Sequence, residues 1–233
     1  MTHHMLLETL KLSADPGYGD YQRRIIRDTE YPMLFVRMPA LRKIVKAAGK
    51  NWKALAKNCC FSSYEEVMAV CLAAAGADAE LSERLSVLRP LVHRLDSWGL
   101  TDSIVPTLAV KPEEYVELWD FALECIHAEG EYVRRFGIVI LLHFFLAEEY
   151  LDAVENVVVP IRDGRYYVRM ACAWLLAEMA VSDWQRVKAI LVSNNLEQAV
   201  HNMTVRKIRE SYRISKDVKA EAGALRRKEN ANV

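Results

Sequence analysis

The chain has 233 residues, 52% hydrophobic and 27% charged, which is enough apolar material to bury a core and excludes a disordered tail. Thirty-one Lys and Arg balance thirty-one Asp and Glu, so global charge selects neither nucleic acid nor an acidic partner. The opening MTHHMLLETLKL lacks the apolar core and small-residue cleavage site of a secretory signal, and no later apolar run reaches bilayer-spanning length, so a soluble, cytoplasmic protein is expected. Five cysteines, Cys59, Cys60, Cys71, Cys125 and Cys172, are odd in number and lack CxxC spacing. That suits buried reduced thiols better than disulfides or zinc ligands, and neither a metal nor a redox cofactor is expected.

Almost every segment reads as helix, because glycine is scarce and apolar residues recur at three- and four-residue spacing. Near the N-terminus, DPGYGDYQRRIIRDTEYP is interrupted by Pro16, Gly17, Gly19 and Pro32, leaving only DYQRRIIRDTE as a short helix. From Asp78 to His93, Leu81, Leu85, Leu88, Leu91 and Val92 form a helical stripe. In LDSWGLTDSIVP, Trp98 and Asp102 are spaced i, i+4 and share one face if a helix runs through them, although Gly99 weakens it. The alternative is that Asp96 or Ser97 caps a helix and Asp102 sits in its first turn, favoured there by the helix dipole. Pro106, Pro112 and Pro160 are natural breaks, and VENVVVP, ending at Pro160, is the one β-prone run.

Internal similarity is the strongest organisational signal. YVRRFGIVILLHF from Tyr132 resembles YVRMACAWLLAEM from Tyr167, an offset of 35 residues, and TVRKIRESY brings Val205 and Arg206 into the place of Val168 and Arg169 at an offset of 37. Such periods arise from stacked helix pairs, each burying its apolar face on its neighbours. The expected fold is all-α, a short solenoid of antiparallel helix pairs with a concave face, forming a single domain over residues 1–233. In that fold Arg135 and Arg169 would start neighbouring helices and point toward one shared surface. From His201 to Lys228, nine Lys and Arg stand against three acids, a basic end that suits a phosphate backbone or, alternatively, a solvated terminal helix. Trp174 lies in an apolar run where core packing is the commoner role, and Arg135 has the alternative of pairing with a neighbouring acid.

Several separated blocks in order carry a family resemblance: FVRMPALRKIVK, SWGLTDSIVP, EYVRRFGIVILL, YYVRMACAWLLAEM and HNMTVRKIRESYRIS. Through them the chain resembles the AlkD-type DNA alkylation repair proteins, HEAT-like-repeat DNA glycosylases, from roughly Asp15 to the SYRIS region. The resemblance implies a monofunctional enzyme that hydrolyses the N-glycosidic bond of cationic alkylpurines such as 3-methyladenine and 7-methylguanine, acting as a monomer on double-stranded DNA without a cofactor. It implies that Asp102 is the catalytic carboxylate, Trp98 and Trp174 the cleft tryptophans and Arg135 the active-site arginine, with Tyr166 and Tyr167 near the lesion. Arg169, Arg206, Lys207 and Arg213 are then the expected backbone contacts. The damaged base is held to stay stacked, unlike the extrusion used by most base-processing enzymes.

In active members of that family an N-terminal helix enters the minor groove just before the stretch corresponding to FVRMPALRK, and Phe35 takes a place usually filled by glycine. VRMPALRK, RFG, YYV and SYRIS are closer to a second subfamily that lacks the helix and is associated with weak DNA binding and no detected base release. The resemblance therefore also implies an alternative, a catalytically silent HEAT-like module that binds DNA or protein.

Overall fold

The computed structural model describes residues 1–228, and among them helix is the only regular structure, with no strand. The helices run in order α1 (His3–Leu12), α2 (Pro16–Ile25), α3 (Met38–Ala48), α4 (Trp52–Asn58), α5 (Tyr64–Ala75), α6 (Leu81–Val92), α7 (Trp98–Ile104) and α8 (Tyr115–His127). Then come α9 (Glu131–Phe144), α10 (Leu151–Val158), α11 (Tyr166–Ser182), α12 (Trp184–Val192), α13 (Gln198–Glu210) and α14 (Lys216–Ala224). Two compact units divide the chain, Met1–Phe136 and Gly137–Val233, the division falling inside α9.

In the first unit α5 is the hub. All twelve of its residues are buried, as a helix apolar on every side requires, and α1, α3, α4, α6 and α7 pack on it. Helices two apart in sequence also pack together, α3 on α5, α5 on α7, α4 on α6 and α6 on α8. This neighbour-on-neighbour stacking is that of an α-solenoid. The second unit follows the same logic, with α11 packing on α12 and α13, and α13 on α14. The leucine stripe of α6 is buried throughout. Pro106 falls in a short 3-10 turn, Pro112 opens another, and Pro160 follows α10.

VENVVVP, β-prone in composition, contributes to α10, because Leu151, Val154 and Val158 bury one face at helical spacing. Two expectations are corrected. The two strong repeats do open equivalent helices, α9 at Glu131 and α11 at Tyr166, but Val205 of the third echo is buried in the middle of α13. The stretch judged too broken at its start for a full helix forms the ten-residue α2, with Pro16 in its first turn, where a missing N–H costs nothing.

The turn after α2 explains how the chain tolerates Phe35 at a glycine-like position. Phe35 has φ of 64°, a left-handed conformation that costs about 1 kcal/mol or more for an aromatic residue. Glu65 of α5 holds it there, accepting the N–H groups of Leu34, Phe35 and Val36 at 2.8, 2.9 and 3.3 Å. The Phe35 ring lies against Gly19, where a Cβ would sit 3.3 Å from it, and carries the Arg23 guanidinium 4.4 Å from its centroid.

Candidate functional site

Helix α7 is only seven residues long, and side chains far away in sequence fix its start. Ser97 caps it, its hydroxyl accepting from the Leu100 N–H. Asp28, in the turn after α2, accepts the Trp98 N–H at 3.1 Å and the Tyr132 phenol at 2.7 Å, both on Oδ2. Its Oδ1 is buried without a hydrogen-bond partner. Asp96 accepts from the Thr29 hydroxyl and the Glu30 N–H, the latter at 2.8 Å. Burial pushes the Asp96 carboxyl above its ordinary range, opposed by these hydrogen bonds.

Of the two readings of LDSWGLTDSIVP, the structure combines parts of both: Ser97 is the cap, and Trp98 and Asp102 share α7 one turn apart. Gly99 has a packing role. A Cβ there would lie 2.5 Å from the Tyr64 hydroxyl and 2.6 Å from Ile26 Cδ1, so only glycine lets α7 approach this closely.

Asp102 meets Arg135 of α9 in a bidentate pair, Nε to Oδ1 at 2.9 Å and Nη2 to Oδ2 at 2.6 Å. The Thr101 hydroxyl lies 2.9 Å from Asp102 Oδ1 and equally close to the Trp98 carbonyl, so its single proton is shared between them. Arg135 is buried, with 5% of its side chain exposed, whereas Asp102 keeps 17%. The buried guanidinium therefore holds both oxygens of a carboxylate whose side chain is more exposed than its own, and Trp98, one turn earlier on α7, is half-buried.

The second unit carries the other expected residues. Trp174 of α11 is half-buried, its indole N–H donating to Glu178 at 3.2 Å and its ring 6.4 Å edge-on from His143. Tyr166, 51% exposed, opens α11 and meets Tyr167 edge-to-face at 5.1 Å. The expected cations are each paired: Arg169 with Glu197, Arg213 with Glu178, and Arg206 and Lys207 both with Glu210 at 3.7 and 3.6 Å. Arg135 and Arg169 are each paired with a carboxylate, Asp102 and Glu197 respectively.

Sequence reasoning did not find Asp28, Thr101, Tyr132, His143 or Glu178. Only Glu178 left a signal, its i, i+4 spacing from Trp174. Among the described residues one group has metal-ligand chemistry, His3, Cys60 and Glu66, with ligand atoms within 4.8 Å of one another. The Glu66 carboxylate already accepts from His3, the Cys60 and Ser62 N–H groups and the Ser62 hydroxyl, so its geometry is that of a structural tie.

No helix is long and apolar enough to cross a membrane. A family described as DNA alkylation repair enzyme matches residues 6–213, nearly the whole chain and both units. No curated protein matches it.

Proposed function

The chain belongs to the DNA alkylation repair enzyme family, and from that premise we propose that it is a monofunctional DNA glycosylase for cationic alkylpurines, with Asp102 as its catalytic carboxylate. The observation that carries this reading is the bidentate Arg135–Asp102 pair with Trp98 one helical turn before it. An alkylated purine bears a positive charge that weakens its bond to deoxyribose, and cleavage develops cationic character on the sugar. A preorganised carboxylate stabilises that charge as it forms, in the manner of glycosidase carboxylates. Arg135 orients the carboxylate so that little reorganisation is needed at the moment of bond breaking.

Trp98 and Trp174 offer indole faces to a cationic nucleotide, an attraction of about 0.5–2 kcal/mol each. Tyr166 and Tyr167 are aromatic contacts near the lesion. Arg169, Arg206, Lys207 and Arg213 reach phosphates only after exchanging their acidic partners for them. Residues 1–233 act as one domain and as a monomer on duplex DNA, in the cytoplasm and with no cofactor.

A second reading, a HEAT-like module that binds without releasing a base, is favoured by one observation: Arg135 engages both Asp102 oxygens, leaving little of the carboxylate to face a sugar. The deciding experiment is release of 3-methyladenine and 7-methylguanine from methylated duplex DNA. Wild type is expected to release base and Asp102→Asn to lose release while keeping its circular dichroism spectrum and melting temperature. Folded wild-type protein that releases neither base overturns the glycosylase reading and leaves the binding module.

A further inference from the structure

A second concentration of positive charge lies on α3, α4 and the turn between them, outside the C-terminal stretch that the sequence singles out. Between Arg37 and Lys57 there are seven Lys and Arg, and no acid occurs from Tyr31 to Tyr64. Among the described residues two of the seven are in ion pairs, Arg37 with Asp15 and Lys53 with Glu83. Arg42, Lys43, Lys46, Lys50 and Lys57 are exposed. The C-terminal candidates Arg206, Lys207 and Arg213 all have carboxylate partners, so formal charge in the sequence overstates what that end offers a polyanion.

The cations of α3 and α4 also have a shape to act through. Arg42, Lys46, Lys50 and Lys53 line an open cavity of about 720 Å³ together with Asp78 and Glu83. Arg42 and Lys46 are one helical turn apart, about 6 Å along the axis. Gly49, at φ of 56°, then turns the chain so that Lys50 and Lys53 reach the same cavity from the next segment. Glu83 is neutralised by Lys53, which leaves Arg42, Lys46 and Lys50 against Asp78.

Three cations are held on one wall here against a single uncommitted acid, Asp78, an arrangement that repels itself and is relieved when a polyanion takes the place of the surrounding counterions. We propose that the α3–α4 cavity grips the phosphate backbone of duplex DNA without regard to sequence or damage, and that Arg42, Lys46 and Lys50 are its contacts. This rests on the reading of DNA as the partner, but not on the chemistry at Asp102.

The test is equilibrium binding of an undamaged fluorescein-labelled duplex by full-length protein across a potassium chloride series. Wild type is compared with Arg42→Gln/Lys46→Gln/Lys50→Gln and with Arg206→Gln/Lys207→Gln/Arg213→Gln. Each lost phosphate contact lowers the slope of log affinity against log salt by about 0.9, so the cavity variant is expected to lose about 2–3 from the slope and the C-terminal variant less than about 1. All six positions carry side chains that solvent reaches, and circular dichroism checks that both variants fold. A cavity variant with the wild-type slope overturns the proposal, as does wild type that binds no duplex at low salt. A cavity variant that loses affinity for inorganic pyrophosphate while keeping its DNA slope also overturns it, assigning the cavity to a small anion. Base release measured in parallel separates the two readings, because wild type with the expected slope but no release removes the glycosylase and leaves the backbone grip standing.

Discussion

Replacing Arg135 with methionine keeps most of its buried stem but leaves the Asp102 carboxylate with only the Thr101 hydroxyl where two guanidinium hydrogen bonds had been. Breaking a buried pair from one side costs about 3 kcal/mol, mostly the penalty of an uncompensated charge. Urea denaturation is expected to give that loss for Arg135→Met and a smaller one for Arg135→Met/Asp102→Leu, which removes both charges. Equal losses would mean that Arg135 stabilises the fold through other contacts. Residue identities at this site were partly legible in advance: the i, i+4 spacing placed Trp98 and Asp102 on one face, and Arg135 was given the alternative of an acidic partner. Gly99 was misjudged as a weakness because its reason is non-local, the approach of Tyr64 and Ile26, and neither approach is written in LDSWGLTDSIVP.

At the scale of elements, α5 shows how two adjacent carboxylates serve two different loops. Glu65 holds the Leu34–Val36 turn and Glu66 holds the Cys60–Ser62 turn and His3. Burial alone would raise the Glu66 carboxyl, but hydrogen bonds from Ser62, His3 and Cys60 outweigh it and pull the value from 4.5 down to about 2. A depressed carboxyl stabilises the fold fully above its ordinary range and loses that contribution as pH falls toward the depressed value. The shift corresponds to about 3 kcal/mol. The gap in unfolding free energy between wild type and Glu66→Gln is accordingly expected to narrow by about 2 kcal/mol from pH 6 to pH 3. A gap independent of pH would show that Glu66 acts through shape alone. Sequence periodicity found α6 and the matched starts of α9 and α11, where burial and helical spacing agree. It singled out no helix at α1 and placed the helix of α2 at 20–30, not Pro16–Ile25, because short amphipathic faces depend on what packs beneath them: Leu6 and Leu10 of α1 are buried, and α1 packs on α3 and α5.

Across the whole molecule, composition gave the right class but not the distribution of charge or thiols. Net charge of zero conceals an acid-free basic stretch, because pairing is a property of the fold and not of counts. The cysteines follow the same rule. None forms a disulfide; Cys71, Cys125 and Cys172 are buried as expected of reduced thiols, Cys59 is half-buried, and Cys60 is exposed. Burial pushes the Cys59 and Cys125 thiols up to about 12 and Cys71 higher still. Since the thiolate is the reacting species, an aromatic disulfide reagent at neutral pH is expected to titrate one thiol per native chain quickly, and none in Cys60→Ser. Rapid reaction of two or more would contradict the burial of the others.

Asp28 lies 70 residues from Trp98 and 104 from Tyr132, yet one of its oxygens touches both. The N-terminal segment is therefore not an appendage that can be trimmed to ask whether it enters a groove. Truncating it also strips an anion from the start of α7 and a hydrogen bond from the start of α9, the two helices that carry Asp102 and Arg135. In this protein the segment ahead of α3 is a foundation for the two helices whose side chains pair across the site.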